Sequence, residues 1–364
     1  MNLLFGEILR NRLLWLLAFV PVMFVIQKLK PEAHTLLFAL SVLAIVPLAA
    51  LLSHATEAVA AKTGDTVGGL LNATLGNLTE LVIALTALAA GQYTLVKASI
   101  AGAIVTNTLF MLGASFLLGG LKHHVQEFNR TNARLQTTLL FLATVAMLIP
   151  SAVSEAATAF THELSVGLSI LLIAAYGLGL VFSLKTHREF FGSAEHAAED
   201  AAEGGAPWPL GLALATLAGV TVLVALVSEV FVESVQEAAA TFGMSPAFVG
   251  FIVVALVGAA AEMASAFSGA RKNRLDLSVG IALGSASQIA LFVGPMLVLV
   301  SYFVGPVPMD LQFWPGAVIM MLIATITASL VTISGRSAWF VGVLVLMVYG
   351  VFAMTLYLLP PRIP

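Results

Sequence analysis

The sequence predicts an all-α polytopic membrane protein with about eleven transmembrane helices. Of its 364 residues, 60% are hydrophobic and only 10% are charged, whereas soluble globular domains have roughly 45–50% and 25%. Apolar segments long enough to cross a bilayer recur along the whole chain, and we expect a single membrane transporter domain over 1–364. The absence of cysteine excludes disulfides and thiolate metal sites. The net charge of −3, without a basic tail, predicts no nucleic-acid partner.

Eleven apolar segments are expected to span the membrane. The first follows Arg10 and Arg12 and is predicted to be a retained helix, because no small-residue cleavage site follows it. The predicted spans lie near 13–27, 34–56, 66–90, 95–119, 135–154, 164–184, 209–232, 246–269, 277–303, 313–333 and 338–359.

The distribution of Lys and Arg predicts that the N-terminus is cytoplasmic. With this orientation, twelve basic residues lie inside and four lie outside. We therefore expect an integral protein of the inner (plasma) membrane. The inside set is Arg10, Arg12, Lys62, Lys122, Arg130, Arg134, Lys185, Arg188, Arg271, Lys272, Arg274 and Arg336, and the outside set is Lys28, Lys30, Lys97 and Arg362.

Two stretches of the chain, 182 residues apart, repeat each other. Ten spans remain after the first and divide into five and five, so the second set enters the membrane from the opposite side and the repeat is inverted. The alternative is a chance similarity between two apolar, glycine-rich segments. The predicted organisation is an N-terminal helix (1–33), a first repeat (34–184), an acidic cytoplasmic linker (185–208) and a second repeat (209–364). The register matches Val67, Gly68, Gly76, Glu80, Gly102, Leu109 and Phe110 with Val249, Gly250, Gly258, Glu262, Gly284, Leu291 and Phe292.

Each repeat carries one glutamate inside an apolar segment, Glu80 in the first and Glu262 in the second. A charged side chain at the centre of a bilayer costs at least ~2.5 kcal/mol, so such a residue indicates a functional site. Small residues around both glutamates allow two helices to cross closely. We expect the two carboxylates to meet at mid-membrane and to form the metal site. The alternative is that each pairs singly with a nearby amide or hydroxyl.

Two facing carboxylates form an all-oxygen site that suits Ca²⁺ or a similar hard cation. Like charges in a low-dielectric medium also raise each other's affinity for protons. One divalent cation or two protons can therefore neutralise the pair, which is the exclusivity that an antiporter needs. Asn77, Asn107, Ser285 and Gln288 are expected to supply uncharged ligands, although interhelical hydrogen bonding explains each of them equally well.

Four further glutamates are predicted to line an access path for cations or protons. Glu57 lies at the end of the second span, where His54 stands one turn before it. Glu229, Glu233 and Glu237 are spaced four apart and share one face of the seventh helix if it continues that far. The alternative for Glu237 is a solvated helix end.

The segment Gly76-Asn77-Leu78-Thr79-Glu80-Leu81 and its partner Gly258-Ala259-Ala260-Ala261-Glu262, followed by Gly284-Ser285-Ala286-Ser287-Gln288, resemble the signature repeats of the calcium/proton exchanger family. That family belongs to the calcium:cation antiporter superfamily. The resemblance implies exchange of Ca²⁺ for H⁺ by alternating access, with Glu80 and Glu262 as the central acids. It further implies that Asn77, Ser285 and Gln288 assist, and that Glu57 and Glu229 lie along the access routes. The chain departs from the family pattern at Ala259 and Met263, where Asn and His are usual, which affects ion preference and pH dependence.

An exchanger of another specificity (Na⁺/Ca²⁺ or Mn²⁺/H⁺) and a passive cation channel are the alternatives to Ca²⁺/H⁺ antiport. An enzyme is not expected, because the chain has no His-Glu-x-x-His zinc motif, no Gly-x-Ser-x-Gly and no phosphate-binding loop. No cofactor is expected; the expected partners are Ca²⁺, protons and the lipid bilayer, and a homo-oligomer is left open.

Overall fold

The computed structural model describes residues 2–63, 65–153, 160–187 and 208–359. In this part of the chain, nine helices are long and apolar enough to cross a membrane, and one further pair of helices, bent at a break, passes the same test. The predicted all-α polytopic fold is confirmed. The predicted acidic linker lies outside the described residues, except for 185–187 and 208.

The N-terminal region and first repeat form a string of helices with two π-helical turns. α3 contains Pro47 in its interior, where proline removes one backbone donor. The elements are α1 (Asn2–Arg10), a 3₁₀ helix (Arg12–Ala18), α2 (Phe19–Leu29), α3 (His34–Ala60), α4 (Asp65–Leu75), α5 (Leu78–Ala89), α6 (Tyr93–Val105), a π turn (Thr106–Met111), α7 (Leu112–His123), β1 (Val125–Glu127), α8 (Arg130–Val153), α9 (Thr161–Val181) and a π turn (Phe182–Thr186).

The second repeat begins with the longest helix of the described chain. Two of its helices start with proline, Pro246 and Pro315, which fits a position where the backbone N–H has no helical partner. The elements are α10 (Leu210–Thr241), α11 (Pro246–Phe248), a π turn (Val249–Val254), α12 (Ala255–Gly258), α13 (Ala260–Arg271), α14 (Leu275–Gln288), a π turn (Ile289–Val293), α15 (Gly294–Val300), α16 (Pro315–Thr332), β2 (Arg336–Ala338) and α17 (Trp339–Leu358).

Every one of the eleven predicted spans coincides with helical structure. The third, predicted as one helix over 66–90, consists instead of α4 and α5. The 12 residues of α5 extend only about 18 Å, well short of the roughly 30 Å of hydrocarbon. The count of eleven therefore stays a prediction, with α4 and α5 together occupying the third position.

The surface around the helices is apolar, as an integral membrane protein requires. Large side chains such as Leu171 and Leu178 of α9 and Met347 and Met354 of α17 are exposed. Inside, α3 packs along α10, and the rings of Phe38 and Phe231 stack with centroids 5.4 Å apart. The exposed apolar faces suit lipid, in which all backbone polar groups must be paired within helices.

The connecting segments gather at two opposite ends of the molecule. At the first, which we call the Arg271 end, β1 pairs with β2, and Glu127 forms a 2.7 Å ion pair with Arg336. Here Lys122 Nζ donates to the carbonyl of Arg271 at 3.0 Å. At the second, the Lys97 end, Lys97 and Asp310 form an ion pair. Lys122, Arg271 and Arg336, three of the predicted inside residues, thus share one end, and Lys97, a predicted outside residue, lies at the other.

Candidate ion-binding site

The two repeats break their helices at equivalent positions. In the first, Gly76 and Asn77 separate α4 from α5. In the second, Ala259 separates α12 from α13, and the helices Pro246–Gly258 and Ala260–Arg271 meet at 59°. Gly76 and Asn77 stand 182 residues before Gly258 and Ala259, so both breaks follow the register of the repeat. Broken helices at corresponding places in two halves are a common origin of transporter ion sites.

Each break places a glutamate in the first turn of the helix that follows. Glu80 occupies this position in α5, and Glu262 occupies it in α13. A carboxylate is stabilised there by the unpaired N–H groups at the helix N-terminus. The breaks therefore give both acids a favourable place despite the apolar surroundings.

The structure brings the two glutamates together. The side chain of Glu80 lies against Gly258, and a Cβ atom at that glycine would stand only 2.9 Å from Glu80 Cγ. Gly258 lies four residues before Glu262, directly before the second helix break. Glycine at 258 is therefore required for the close crossing of α5 with the second broken helix, residues 246–271.

A chain of hydrogen bonds joins the predicted uncharged ligands from both repeats. Asn107 Nδ2 donates to Ser285 Oγ at 2.8 Å, and Ser285 Oγ donates to Asn77 Oδ1 at 2.7 Å. Gln288 Oε1 lies 3.4 Å from where a Cβ of Gly76 would stand, so the Gln288 side chain reaches the first helix break.

Several buried polar atoms of this cluster have no hydrogen-bond partner among the described residues. Buried polar atoms are nearly always paired, so an exception calls for an explanation such as a bound ion. An amide occupies the same space in its two orientations, so either its oxygen or its nitrogen can face the centre. Two carboxylates surrounded by amides and a hydroxyl fit a hard cation. The unpaired atoms are Glu80 Oε1, Glu262 Oε2, Asn77 Nδ2, Asn107 Oδ1 and Gln288 Nε2.

Two π-helical turns flank the cluster, and no pattern in the sequence predicts them. The first, Thr106–Met111, contains Asn107, and the second, Ile289–Val293, begins directly after Gln288. They occupy corresponding positions in the two repeats. Such turns insert a residue into an α-helix and occur frequently at functional sites.

The four glutamates predicted for an access path are exposed residues of α3 and α10. Glu57 is exposed near the end of α3 and accepts a 3.4 Å hydrogen bond from Ser53. Glu229, Glu233 and Glu237 share one exposed face of α10, as their spacing predicts. In the part of the chain that the structure describes, no hydrogen bond or ion pair joins these four glutamates to Glu80 or Glu262.

Two histidines stand beside the predicted access residues. The ring of His54 packs edge-on against Trp208, with centroids 4.7 Å apart. His34, which no sequence pattern indicated, lies with its Nε2 3.8 Å from Glu237 Oε2. Glu237 is therefore at a polar helix end near the start of α3.

Comparison with known proteins agrees with the sequence motifs. The family model described as sodium/calcium exchanger protein matches residues 33–185 and 212–358. A Ca²⁺/H⁺ antiporter of Aphanothece halophytica is 38% identical over 359 residues, covering 95% of this chain and 96% of the relative. The Ca²⁺/H⁺ antiporter ChaA of Bacillus subtilis (strain 168) is 40% identical over 353 residues, covering 96% of this chain and 100% of the relative.

Solved structures show the same architecture. Native YfkE superposes with a TM-score of 0.82 at 36% identity, covering 95% of this chain and 100% of that one. The H⁺/Ca²⁺ exchanger CAX superposes with a TM-score of 0.71 at 17% identity, which supports the fold alone. The resemblance to calcium/proton exchangers drawn from the motifs is confirmed, and the chain belongs to the sodium/calcium exchanger protein family.

Proposed function

We propose that this protein exchanges Ca²⁺ for H⁺ across a membrane by alternating access, with the ion bound between Glu80 and Glu262. The observation that carries the proposal is that Glu80, in the first turn after one helix break, packs against Gly258 at the equivalent break before Glu262. The relatives named Ca²⁺/H⁺ antiporter support the choice of ions, and they align over nearly the full chain.

Coupling follows from the charge of the two acids. The ionised pair carries two negative charges, which one Ca²⁺ neutralises completely. Two protons do the same, but a Ca²⁺ ion and two protons cannot occupy the pair together without leaving net positive charge in a low-dielectric interior, which is costly. Each crossing of the membrane therefore carries one kind of cargo or the other.

The uncharged side chains complete the coordination of Ca²⁺, which takes six to eight oxygen ligands. Asn107 Oδ1 is buried and unpaired among the described residues, so it can bind a cation without first losing a hydrogen bond. Asn77 and Gln288 stand at the first helix break, and Ser285 holds Asn77 and Asn107 in place. Glu57, Glu229, Glu233 and Glu237 then serve as acidic surface along the approach to the site.

The same proposal places the protein in the inner (plasma) membrane with its N-terminus and its Arg271 end in the cytoplasm. The clustering of Lys122, Arg271 and Arg336 at one end supports this orientation through the preference of Lys and Arg for cytoplasmic loops. The chain acts as a transporter and not as an enzyme. It is divided into an N-terminal helix, two repeats and a cytoplasmic linker, with boundaries at 33, 184 and 208.

The decisive experiment measures cation uptake into sealed vesicles that hold the purified protein. An imposed pH gradient, acid inside, should drive Ca²⁺ inward against its own gradient, and Ca²⁺ should drive protons out. Parallel assays with Na⁺ and Mn²⁺ test the two alternative specificities, which matter here because Ala259 and Met263 depart from the family motif. Ca²⁺ flux that only follows its own gradient would indicate a channel and contradict the proposal.

A further inference from the structure

At three positions around the ion-binding site, a polar residue in one repeat corresponds to an apolar residue in the other. Asn72, Asn107 and Ser285 correspond, 182 residues apart, to Val254, Ile289 and Ala103. In each pair, the inverted repeat is expected to place the polar residue on one side of the site and the apolar residue on the other. Since an inverted repeat relates the two sides of the membrane, these three positions make one approach to the glutamates more apolar than the other; Ser99, whose counterpart is Ile281, is an exception.

The apolar members line a small cavity beside Glu80. It has room for about one water molecule, and its walls come from α5, α6, the second broken helix and the π turn after α14. Ala84 stands one turn beyond Glu80 on α5, and α6 begins at the same end of the molecule, so the cavity leads from Glu80 toward the Lys97 end. Its lining residues include Glu80, Ala84, Ser99, Ala103, Val254 and Ile289.

Helix packing closes this side of the site. α6 packs closely against the π turn Val249–Val254. The two glycines permit this approach, since a Cβ at Gly102 would overlap the backbone of Phe251 and one at Gly250 would stand 2.6 Å from Ala98 Cβ. On the other side, the repeat-equivalent of Gly102 is Gly284, which faces open space among the described residues. Among the described residues, α14 correspondingly packs little against α4. The structure is therefore closed toward the Lys97 end and more open toward the Arg271 end.

We propose that Val254 and Ile289 form an apolar gate between Glu80 and the Lys97 end, and that the cavity walled by Ser99 is the route by which ions pass there. This inference rests on the proposed exchange function and names the gating residues of that site. An apolar constriction excludes ions by shedding water when it is narrow, and a space for about one water cannot pass a hydrated cation. Opening the gate requires α6 to move away from the π turn, so that Gly102 and Gly250 part from their close contacts.

The gate can be tested without transport, because the native chain has no cysteine. A single Ser99→Cys variant reports access to the cavity through its rate of reaction with a membrane-impermeant thiol reagent. Phe303→Cys, 90% exposed at the Lys97 end, identifies which side of the vesicle corresponds to that end. Ala101→Cys, buried on the same helix and outside the cavity, is the matched negative control.

With the native gate, Ser99→Cys should react slowly, and only from the side that labels Phe303→Cys. Adding Ile289→Asn should speed the reaction about tenfold or more, because an amide lowers the cost of wetting the constriction. Val254→Thr, which keeps the side-chain shape, is the second gate variant should Ile289→Asn fail to fold. Val253→Asn, on the same π turn but outside the cavity, should leave the rate unchanged.

An equal reaction rate with and without the gate variants would overturn the proposal. Labelling of Ser99→Cys only from the side opposite to Phe303→Cys would overturn it as well. Because labelling requires neither Ca²⁺ nor a pH gradient, these outcomes are separate from those of the uptake experiment. A chain that fails to exchange Ca²⁺ but shows gated labelling would contradict the ion assignment and leave the gate intact.

Discussion

Ser285 and Asn77 lie 208 residues apart in the chain, yet the Ser285 hydroxyl donates a 2.7 Å hydrogen bond to Asn77 Oδ1. The bond crosses from the second repeat to the first, at the place where the first helix is broken. Asn107 completes the connection by donating to the same hydroxyl at 2.8 Å. Ser285, in the second repeat, thus joins two amide side chains of the first repeat.

The first prediction follows from this bridge. Ser285→Ala should weaken Ca²⁺ binding by roughly tenfold to a hundredfold, because it leaves two buried amides without their partner at about 1–3 kcal/mol. Isothermal titration calorimetry with Ca²⁺ on the detergent-purified variant measures the change. Ser287→Ala is the matched control, since the Ser287 hydroxyl donates to the Gln136 carbonyl instead. Equal losses in both variants would mean that the effect is general destabilisation of α14.

The sequence indicates Glu80 and Glu262 as candidates for the ion site, because burying charge in an apolar segment is costly and such exceptions stand out. It predicted the third span as one helix, since a glycine such as Gly76 costs a helix only about 1 kcal/mol relative to alanine and tertiary packing decides whether the helix breaks. The π turns were not predicted, as they have no local signature. The closed side of the site also depends on packing, here that of Gly102 against Phe251, which no periodicity reveals.

The acidic face of α10 shows a second limit of prediction from sequence, namely the orientation of a helix face. The spacing of Glu229, Glu233 and Glu237 predicted a shared face, and they share an exposed one. The direction of that face relative to the ion site depends on the rotation of the helix against its neighbours. A sequence pattern fixes which residues lie together, but not which neighbour they meet. Their role in access therefore stays a prediction.

The second prediction concerns the ion pair at the Lys97 end. Lys97 Nζ lies 2.5 Å from Asp310 Oδ1, and the side chains are only 18% and 22% exposed. Asp310→Asn should lower stability by about 1–3 kcal/mol, more than for an exposed pair but less than for a fully buried one. A thermal unfolding assay in detergent measures this. The double variant Lys97→Met/Asp310→Asn should recover part of the lost stability, because it no longer leaves an unpaired lysine. If stability does not recover, the loss comes from the hydrogen bond that the Gln312 backbone N–H donates to Asp310 Oδ1.

The third prediction concerns orientation. Phe303→Cys at the Lys97 end should react with an impermeant thiol reagent added outside intact cells, whereas Lys272→Cys at the Arg271 end should react only after the membrane is opened. The physical reason is the preference of Lys and Arg for cytoplasmic loops. Both positions are exposed, so slow reaction cannot come from burial. The reverse pattern would place the N-terminus outside.

The fourth prediction concerns the position at which this chain departs from its family's motif. Ala259 stands at the second helix break, where Asn77 stands in the first, and it is fully buried. Ala259→Asn should tighten Ca²⁺ binding, because a further neutral oxygen raises the number of ligands. Calorimetry with Ca²⁺ measures the change, and Ala261→Asn on the same helix serves as the control. Unchanged or weaker binding in a folded variant would mean that a backbone carbonyl or water already fills that position.

The last prediction concerns competition between Ca²⁺ and protons. Protons and Ca²⁺ neutralise the same carboxylates, so lowering the pH should weaken apparent Ca²⁺ binding as the pair titrates together. Glu80→Gln and Glu262→Gln each remove one charge, and the remaining carboxylate cannot neutralise a divalent ion, which leaves net charge in the interior at high cost. Both variants should lose proton-coupled Ca²⁺ uptake in vesicles, whereas Glu163→Gln, exposed at the start of α9, should retain it. If Glu262→Gln still exchanged the two ions at a comparable rate, the two-carboxylate site would be wrong, and Glu229 and Glu233 would become the better candidates.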